Sequence, residues 1–328
     1  MKVSIIIPFR NDHDELPKTL GCLLQTDNIE VIIVNDGSVE HSGRFKPLVI
    51  DDPRVIVINN PVSFGVGYSF DRGVEIASND TIILMGVDVT PHEGWYEKVI
   101  EAVNSKPESI GCAVCVGDKE PHHKYYGAEM LLTYGNDDLP PKSELRKRKG
   151  GFTDLFRGRW ADKKGDEPYE ISCIMGAFYF TSKSWYQHIG GFDTVIKNRF
   201  CGHRFWGHLE PYISLKSWLV GGGCTLYPEI EATHIFNRAG RDSKHSKGAR
   251  SAEWMWWNAI FILETQIMSQ YTRNRLYDFV KPELNFNVAK HMIRNNYKTI
   301  ERVREANRLK FKNELSWYIE KFSLNPIL

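Results

Sequence analysis

Short unbroken apolar runs alternate with segments whose apolar positions recur every three or four residues. Val3–Ile7 is an apolar run closed by Pro8, the pattern of a strand buried on both faces. Asp14–Gln25 follows, with Leu16, Leu20, Leu23 and Leu24 at helical spacing. Glu30–Val34 predicts a second strand, ending in the turn formers Asn35–Ser38 ("NDGS"). Arg54–Ile58 is a third strand, Tyr68–Ala77 a helix, Thr81–Met85 a fourth strand and Trp95–Asn104 a helix. This alternation predicts an α/β fold, a mainly parallel sheet with crossover helices. Such sheets bind ligands outside the carboxyl ends of their strands, where Asn35–Asp36 and Asp88 fall.

Beyond Gly111 the pattern loosens. "GCAVCVG" (Gly111–Gly117) reads as a strand, and the polar, basic stretch Pro140–Gly165 as a mobile excursion. Ile171–Asp193 predicts a strand, a helix and a Gly-Gly stop; His208–Pro228 predicts a helix, its glycine-rich end and a strand. Trp254–Gln270 and Asn287–Phe322 predict helices, the second long and highly charged. The organisation expected is a domain over residues 1–250, in halves of about 1–110 and 111–250, and a helical C-terminal region over 251–328.

Charge changes this picture more than composition does. The 328 residues are 42% hydrophobic and 25% charged, enough for a sizeable core. The net charge is only +1, yet Lys142–Lys149, Arg157–Lys164 and Arg238–Arg250 hold fourteen Lys/Arg against Glu144, Asp162 and Asp242. Part of the surface is therefore suited to an anion, unless these runs are only solvated loops. The six cysteines are scattered, and the lone C-x-x-C lies within a strand pattern, so buried thiols of a reducing compartment are expected. Met1 leads straight into a strand, and Trp254–Leu263 is too short to span a bilayer and contains Asn258. The reading is a cytoplasmic protein without a membrane span.

An acid at a strand end can bind ribose hydroxyls, pair with a base or hold a divalent metal. A metal bridging two phosphates needs few protein ligands, so Asp88 with one distant histidine would suffice. "GVGYSFDRG" (Gly65–Gly73) imitates a dinucleotide fingerprint, but Phe70 takes the third glycine position and the first strand is followed by no such loop.

"VSIIIPFRND", "VIIVNDGS", "GVGYSFDRGVEIASNDTIILMGVDVTP" and "GGFD", in this order and spacing, resemble the family-two glycosyltransferases of the GT-A fold. The second half is similar to the polypeptide N-acetylgalactosaminyltransferases through Trp206-Gly207, Ser214, Trp218, Gly221-Gly222 and "THIFNR" with His234. The resemblance covers Lys2 to Arg238, and the tail after Arg250 has no evident counterpart.

It implies a Rossmann-like GT-A domain holding a nucleotide-diphosphate sugar, with UDP favoured. Pro8, Arg10, Asp36, Arg72, Asp88 and Trp206 would bind the donor. Asp88, at the last position of the family's Asp-x-Asp, and His234 would hold Mn2+ or Mg2+. Gly86 replaces the first Asp of that motif, and Leu209-Glu210 replaces the usual Glu-Asp pair. Glu210 would be a general base, unless it is only an acid in a helix's first turn before Pro211. Arg238 and Arg241, in the glycine-hinged basic loop after His234, would steady the departing diphosphate.

The first half resembles inverting enzymes and the second half retaining ones. The acceptor stays open: a glycan, a protein hydroxyl, a lipid-linked sugar or, given the basic runs and the cation-rich Arg294–Lys312, a hydroxylated base in DNA. Two other functions compete, a nucleotidyltransferase and a non-catalytic sugar- or nucleotide-binding module. The first strand's acidic, glycine-free loop argues against the former, whereas Gly86 and Leu209 favour the latter.

Overall fold

The computed structural model describes residues 2–40, 42–119, 122–132, 155–196, 199–200, 207–236, 252–279 and 284–324. Four parallel strands, β1 (Val3–Phe9), β2 (Ile29–Asp36), β3 (Val55–Asn60) and β4 (Thr81–Met85), stand in the order β3-β2-β1-β4. The chain steps outward from β1 to β3 and then returns to β1's other side, so the strand order reverses between β1 and β4. A crevice opens at such a reversal.

The short β5 (Val89–Pro91) leads to β6 (Ile110–Gly117) and β7 (Lys124–Tyr125), and β8 (Ala128–Leu131) pairs with β9 (Arg157–Trp160) apart from the main sheet. Next come β10 (Tyr169–Glu170), β11 (Phe178–Ser182), the small β12–β13 ladder (Val195–Ile196, Arg199–Phe200) and β14 (Cys224–His234). The sheet continues past β4 through β11, β6, β14 and β10. β11 runs antiparallel to both β4 and β6, so the sheet is mixed but mainly parallel in its first half.

Side chains alternate across these strands, and both faces are covered. Ile5, Ile7, Ile33, Ile83 and Met85 pack beneath α1 (Leu16–Leu23) and α3 (Trp95–Ser105). Ile6, Ile32, Val34, Ile82 and Leu84 face α2 (Val66–Ile76), α4 (Lys183–Ile189) and α5 (Leu209–Val220). This two-sided burial is why the strands read as unbroken apolar runs.

Every residue of α5 is buried except Glu210. Such a helix has no polar face because it is covered on both sides. The sheet lies on one side; α6 (Ala252–Gln266) and α10 (Leu315–Lys321) lie on the other. Trp256, Ile260, Phe261, Ile300, Val303 and Tyr318 belong to the same continuous core as the sheet. Among the described residues no helix is long and apolar enough to cross a membrane.

Three expectations change. The single helix expected over Asn287–Phe322 is α8 (Leu284–Asn295), α9 (Tyr297–Arg308) and α10. It breaks first at Asn296, whose φ of −107° and ψ of 14° leave the helical region, and again across Leu309–Glu314. The helix expected over Trp254–Gln270 is α6, which ends earlier, at Gln266, and a separate helix, α7 (Gln270–Phe279), begins where the expected one stops. Finally, the end of the expected excursion, Arg157–Trp160, is the ordered strand β9, held by four residues of register with β8.

Candidate active site

The crevice between β1 and β4 opens into a cavity of about 920 Å³ lined by Pro8, Asp12, Leu84–Asp88, Arg157–Trp160, Met175–Ala177, His208–Pro211 and His234–Phe236. That volume suits a small organic ligand, for which cavities of about 300–1,000 Å³ are usual.

Asp88 reaches this wall because its turn is fixed at three points. The Gly86 N–H donates to Ala177 O at 3.1 Å, the buried Thr19 hydroxyl to Val87 O at 2.6 Å, and the Ile235 N–H to Asp88 O at 3.1 Å. His234 ends β14, where it pairs with Val89 on one side and Gly117 on the other. A bulge over Pro228–Ile230 shifts β14's register against β6, and the strand beyond it also pairs with β5. Asp88 Oδ2 and His234 Nε2 thereby come within 3.6 Å, both largely buried and both on the cavity wall.

A side chain at Gly86 would intrude here, since a Cβ would lie 2.6 Å from Asp88 Oδ1. The missing acid thus leaves room that the Asp88 carboxylate occupies. Among the described residues no three His, Cys, Asp or Glu side chains group as a metal cluster. One carboxylate and one imidazole nevertheless suit a divalent ion that takes its remaining ligands from phosphate and water.

Glu210 is the third ionisable group of the wall. Tyr179 OH donates to its Oε1 at 3.1 Å, and burial pushes its carboxyl up, against the opposing pull of its own backbone N–H, the Tyr179 hydroxyl and His234. Such a carboxyl is partly protonated where an ordinary glutamate is fully ionised.

The loop after β2 is built on Asp36. Its carboxylate accepts from Ser63 Oγ (2.7 Å), Phe64 N–H (2.6 Å) and Gly65 N–H (2.8 Å), fastening Ser63–Gly65 ahead of α2. Gly37, at φ +72°, is required there, because a Cβ would meet Ser63 N at 2.5 Å. Arg10 joins the cluster by donating to Ser63 Oγ at 3.3 Å, and Pro8 lines the cavity directly. Arg72 pairs with Glu75 on α2 and does not line the cavity. Trp206, Arg238 and Arg241 lie outside the described residues.

Several lining residues escaped the sequence reading. Trp160 and Phe236 line the cavity and form an aromatic group with Tyr125, ring centroids 4.5–6.1 Å apart, and the Phe236 ring centroid stands 4.4 Å from that of His234. Arg157 and Arg159, from the basic run Arg157–Lys164 already marked by charge, also line the cavity, with Arg159 paired with Glu129. Tyr179 signals itself only as one member of an alternating strand. His208 adopts φ +56°, unusual for any residue but glycine, and donates Nε2–H to Leu155 O at 3.1 Å. Burial depresses its pKa to about 4.

A family model described as "Glycosyl transferase family 2" matches residues 4–188, more than half the chain, and the chain belongs to that family. It is 24% identical over 265 residues to a putative polypeptide N-acetylgalactosaminyltransferase 13 of Drosophila melanogaster, covering 72% of this chain and 42% of that protein. It is 23% identical over 248 residues to the human polypeptide N-acetylgalactosaminyltransferase 14, covering 72% and 41%. A dolichol-phosphate mannosyltransferase of Pyrococcus furiosus is 28% identical over 159 residues, covering 46% and 45%. The chain therefore spans less than half the length of these relatives. A crystal structure of GalNAc-T7 with UDP, GalNAc and Mn2+ shares the fold, with a TM-score of 0.67 at 15% identity, over 98% of this chain and 57% of that one. The helical tail, without evident counterpart in the sequence, thus has a structural one.

Proposed function

We propose that the protein transfers a sugar from a nucleotide-diphosphate sugar, UDP favoured, to an acceptor hydroxyl, with a divalent cation at Asp88 and His234. The observation that carries this reading is the 3.6 Å approach of Asp88 and His234 on the wall of a cavity at the sheet's topological switch point. The GalNAc-T7 structure with UDP, GalNAc and Mn2+ supports both donor and metal.

When bound, the cation would neutralise charge on the departing diphosphate. Asp88 and His234 would supply its carboxylate and imidazole ligands. Pro8 lines the cavity and would contact the nucleotide, and Asp36, which fastens Ser63–Gly65, would do so from the loop after β2. Arg10, which donates to Ser63 Oγ, would add a cation for the nucleotide, and Arg238 and Arg241 belong to this proposal as cations for the diphosphate. Glu210 would accept the acceptor's proton, and burial, by raising its pKa above the ordinary glutamate value, makes the carboxylate a stronger base. Trp160 and Phe236 offer apolar faces on which a sugar ring or an acceptor side chain can stack.

The test is nucleoside-diphosphate release from a panel of donors, with and without Mn2+. Asp88→Ala and His234→Ala are expected to lose roughly 100-fold or more, and Glu210→Gln about 100-fold or more, with folding retained. Full transfer by Glu210→Gln would remove the base assignment. Pyrophosphate release instead of nucleoside diphosphate would turn the reading to a nucleotidyltransferase, and no turnover of any donor to a binding module.

A further inference from the structure

Asn258 stands out in the apolar run Trp254–Leu263, and the reaction just proposed makes no use of it. It lies within α6 at 0% exposure, and its Nδ2 donates to Gly207 O at 2.7 Å. That carbonyl belongs to an unusual turn. Gly207 at φ +104° and His208 at φ +56° are consecutive left-handed residues, and Glu210 follows two residues later. The first backbone bond of α5 runs from Tyr212 N–H to His208 O, so Gly207 O lies outside the helical ladder. A buried carbonyl at that point needs a donor from elsewhere.

A second buried amide on the same face of the fold repeats the arrangement. Gln266, 1% exposed at the far end of α6, donates Nε2–H to Tyr212 O at 2.9 Å. The two amides thus grip α5 on either side of Glu210, from a helix that lies outside the matched family region of residues 4–188.

We infer that Asn258 is a positioning residue for the transfer reaction: by fixing the Gly207 peptide in its left-handed turn, it sets the direction in which α5 presents Glu210 to the cavity. The inference rests on the reading of Glu210 as a base. It makes the C-terminal helices part of the catalytic apparatus. A left-handed turn with a non-glycine residue tends to relax toward ordinary backbone angles, and a hydrogen bond across the α6–α5 interface opposes this.

The experiment compares Asn258→Leu with Asn307→Leu. Asn307, 1% exposed, also donates to a main-chain carbonyl, Thr265 O at 3.0 Å, but joins two of the C-terminal helices and makes no bond to the Gly207 turn. Steady-state kinetics and amide hydrogen exchange are measured on both in the full chain. Asn258→Leu is expected to lower kcat about 10- to 100-fold with donor KM within about twofold, the scale of a misdirected catalytic group. Exchange over residues 208–212 should rise selectively. Asn307→Leu should lose stability while keeping kcat.

Equal kcat losses in both variants, or unchanged kcat and exchange in a folded Asn258→Leu, would overturn the inference. Asn258→Ser, whose hydroxyl is too short to bridge the gap, replaces the leucine variant if that one does not fold. Failure of the base assignment shows separately, as full activity of Glu210→Gln. The exchange at residues 208–212 then decides whether Asn258 holds the turn.

Discussion

His208 shows how one residue can tie stability to the site. Its imidazole is buried, donates to Leu155 O and has its pKa depressed to about 4, against an ordinary value of 6.5. The neutral ring is therefore the folded form, and protonation favours the unfolded chain. Its contribution is fully present above pH 6.5, shrinks as pH falls toward 4, and is lost below that. The 2.5-unit interval corresponds to roughly 3 kcal/mol. Thermal unfolding between pH 7 and 4 should fall less steeply in His208→Gly, which also relieves the left-handed backbone at this position. An identical slope in wild type and variant would contradict the assignment. Glu210 titrates in the opposite sense: burial raises its pKa, so the fraction able to act as a base grows with pH, and kcat should rise through a pH above the ordinary glutamate range.

At the scale of elements, a buried polar staple holds α2, the Gly190–Thr194 turn and α5 in one arrangement. Asp71 on α2 accepts from Phe192 N–H, Thr194 N–H and the Tyr186 and Thr194 hydroxyls. Asp193 accepts from Tyr212 OH and from the fully buried Lys216 ammonium, both on α5. Lys216→Ala would leave the half-buried Asp193 without its cation and should cost about 2–4 kcal/mol in urea unfolding, below the full penalty of breaking a wholly buried pair. A loss below about 1 kcal/mol would show that water replaces the pair.

The sequence carried the four parallel strands, the first three helices and the Gly-Gly stop, because two-sided burial and helical periodicity leave local marks, whereas short edge strands such as β7 and β9 leave none. It carried Asp88 and His234 only through an ordered family pattern, since nothing local to either residue announces the other. Trp160, Tyr179 and Asn258 were illegible for the same reason. Their chemistry arises from β9, β11 and α6 converging on one cavity and one helix, and long-range placement has no periodicity to read. The breaks at Asn296 and Leu309–Glu314 were missed because charged helical sequence continues across both.

On the scale of the whole molecule, the core that begins beneath α2 runs without interruption into the C-terminal helices. We accordingly propose that the division at residue 250 is one of sequence pattern and that the helices serve as the outer wall of α5. The family region alone, residues 4–188, stops short of α5, His234 and α6. Charge is segregated on the same scale. Of the three basic runs, Arg157–Lys164 brings Arg157 and Arg159 to the cavity, while Lys142–Lys149 and Arg238–Arg250 lie outside the described residues. An anionic acceptor, the DNA base among them, predicts binding that weakens steeply with salt, and absence of binding to duplex DNA at low salt would remove that acceptor.

In the proposed reaction a sheet carboxylate and a late imidazole together grip a diphosphate through a cation. Calorimetric titration of UDP into the full chain, with Mn2+ and then with chelator, addresses this most directly. Wild type should bind UDP at least about tenfold more tightly with Mn2+, and Asp88→Ala and His234→Ala should lose that increment while keeping the metal-free affinity. An equal UDP affinity with and without Mn2+ in wild type, or an increment that survives both substitutions, would contradict it.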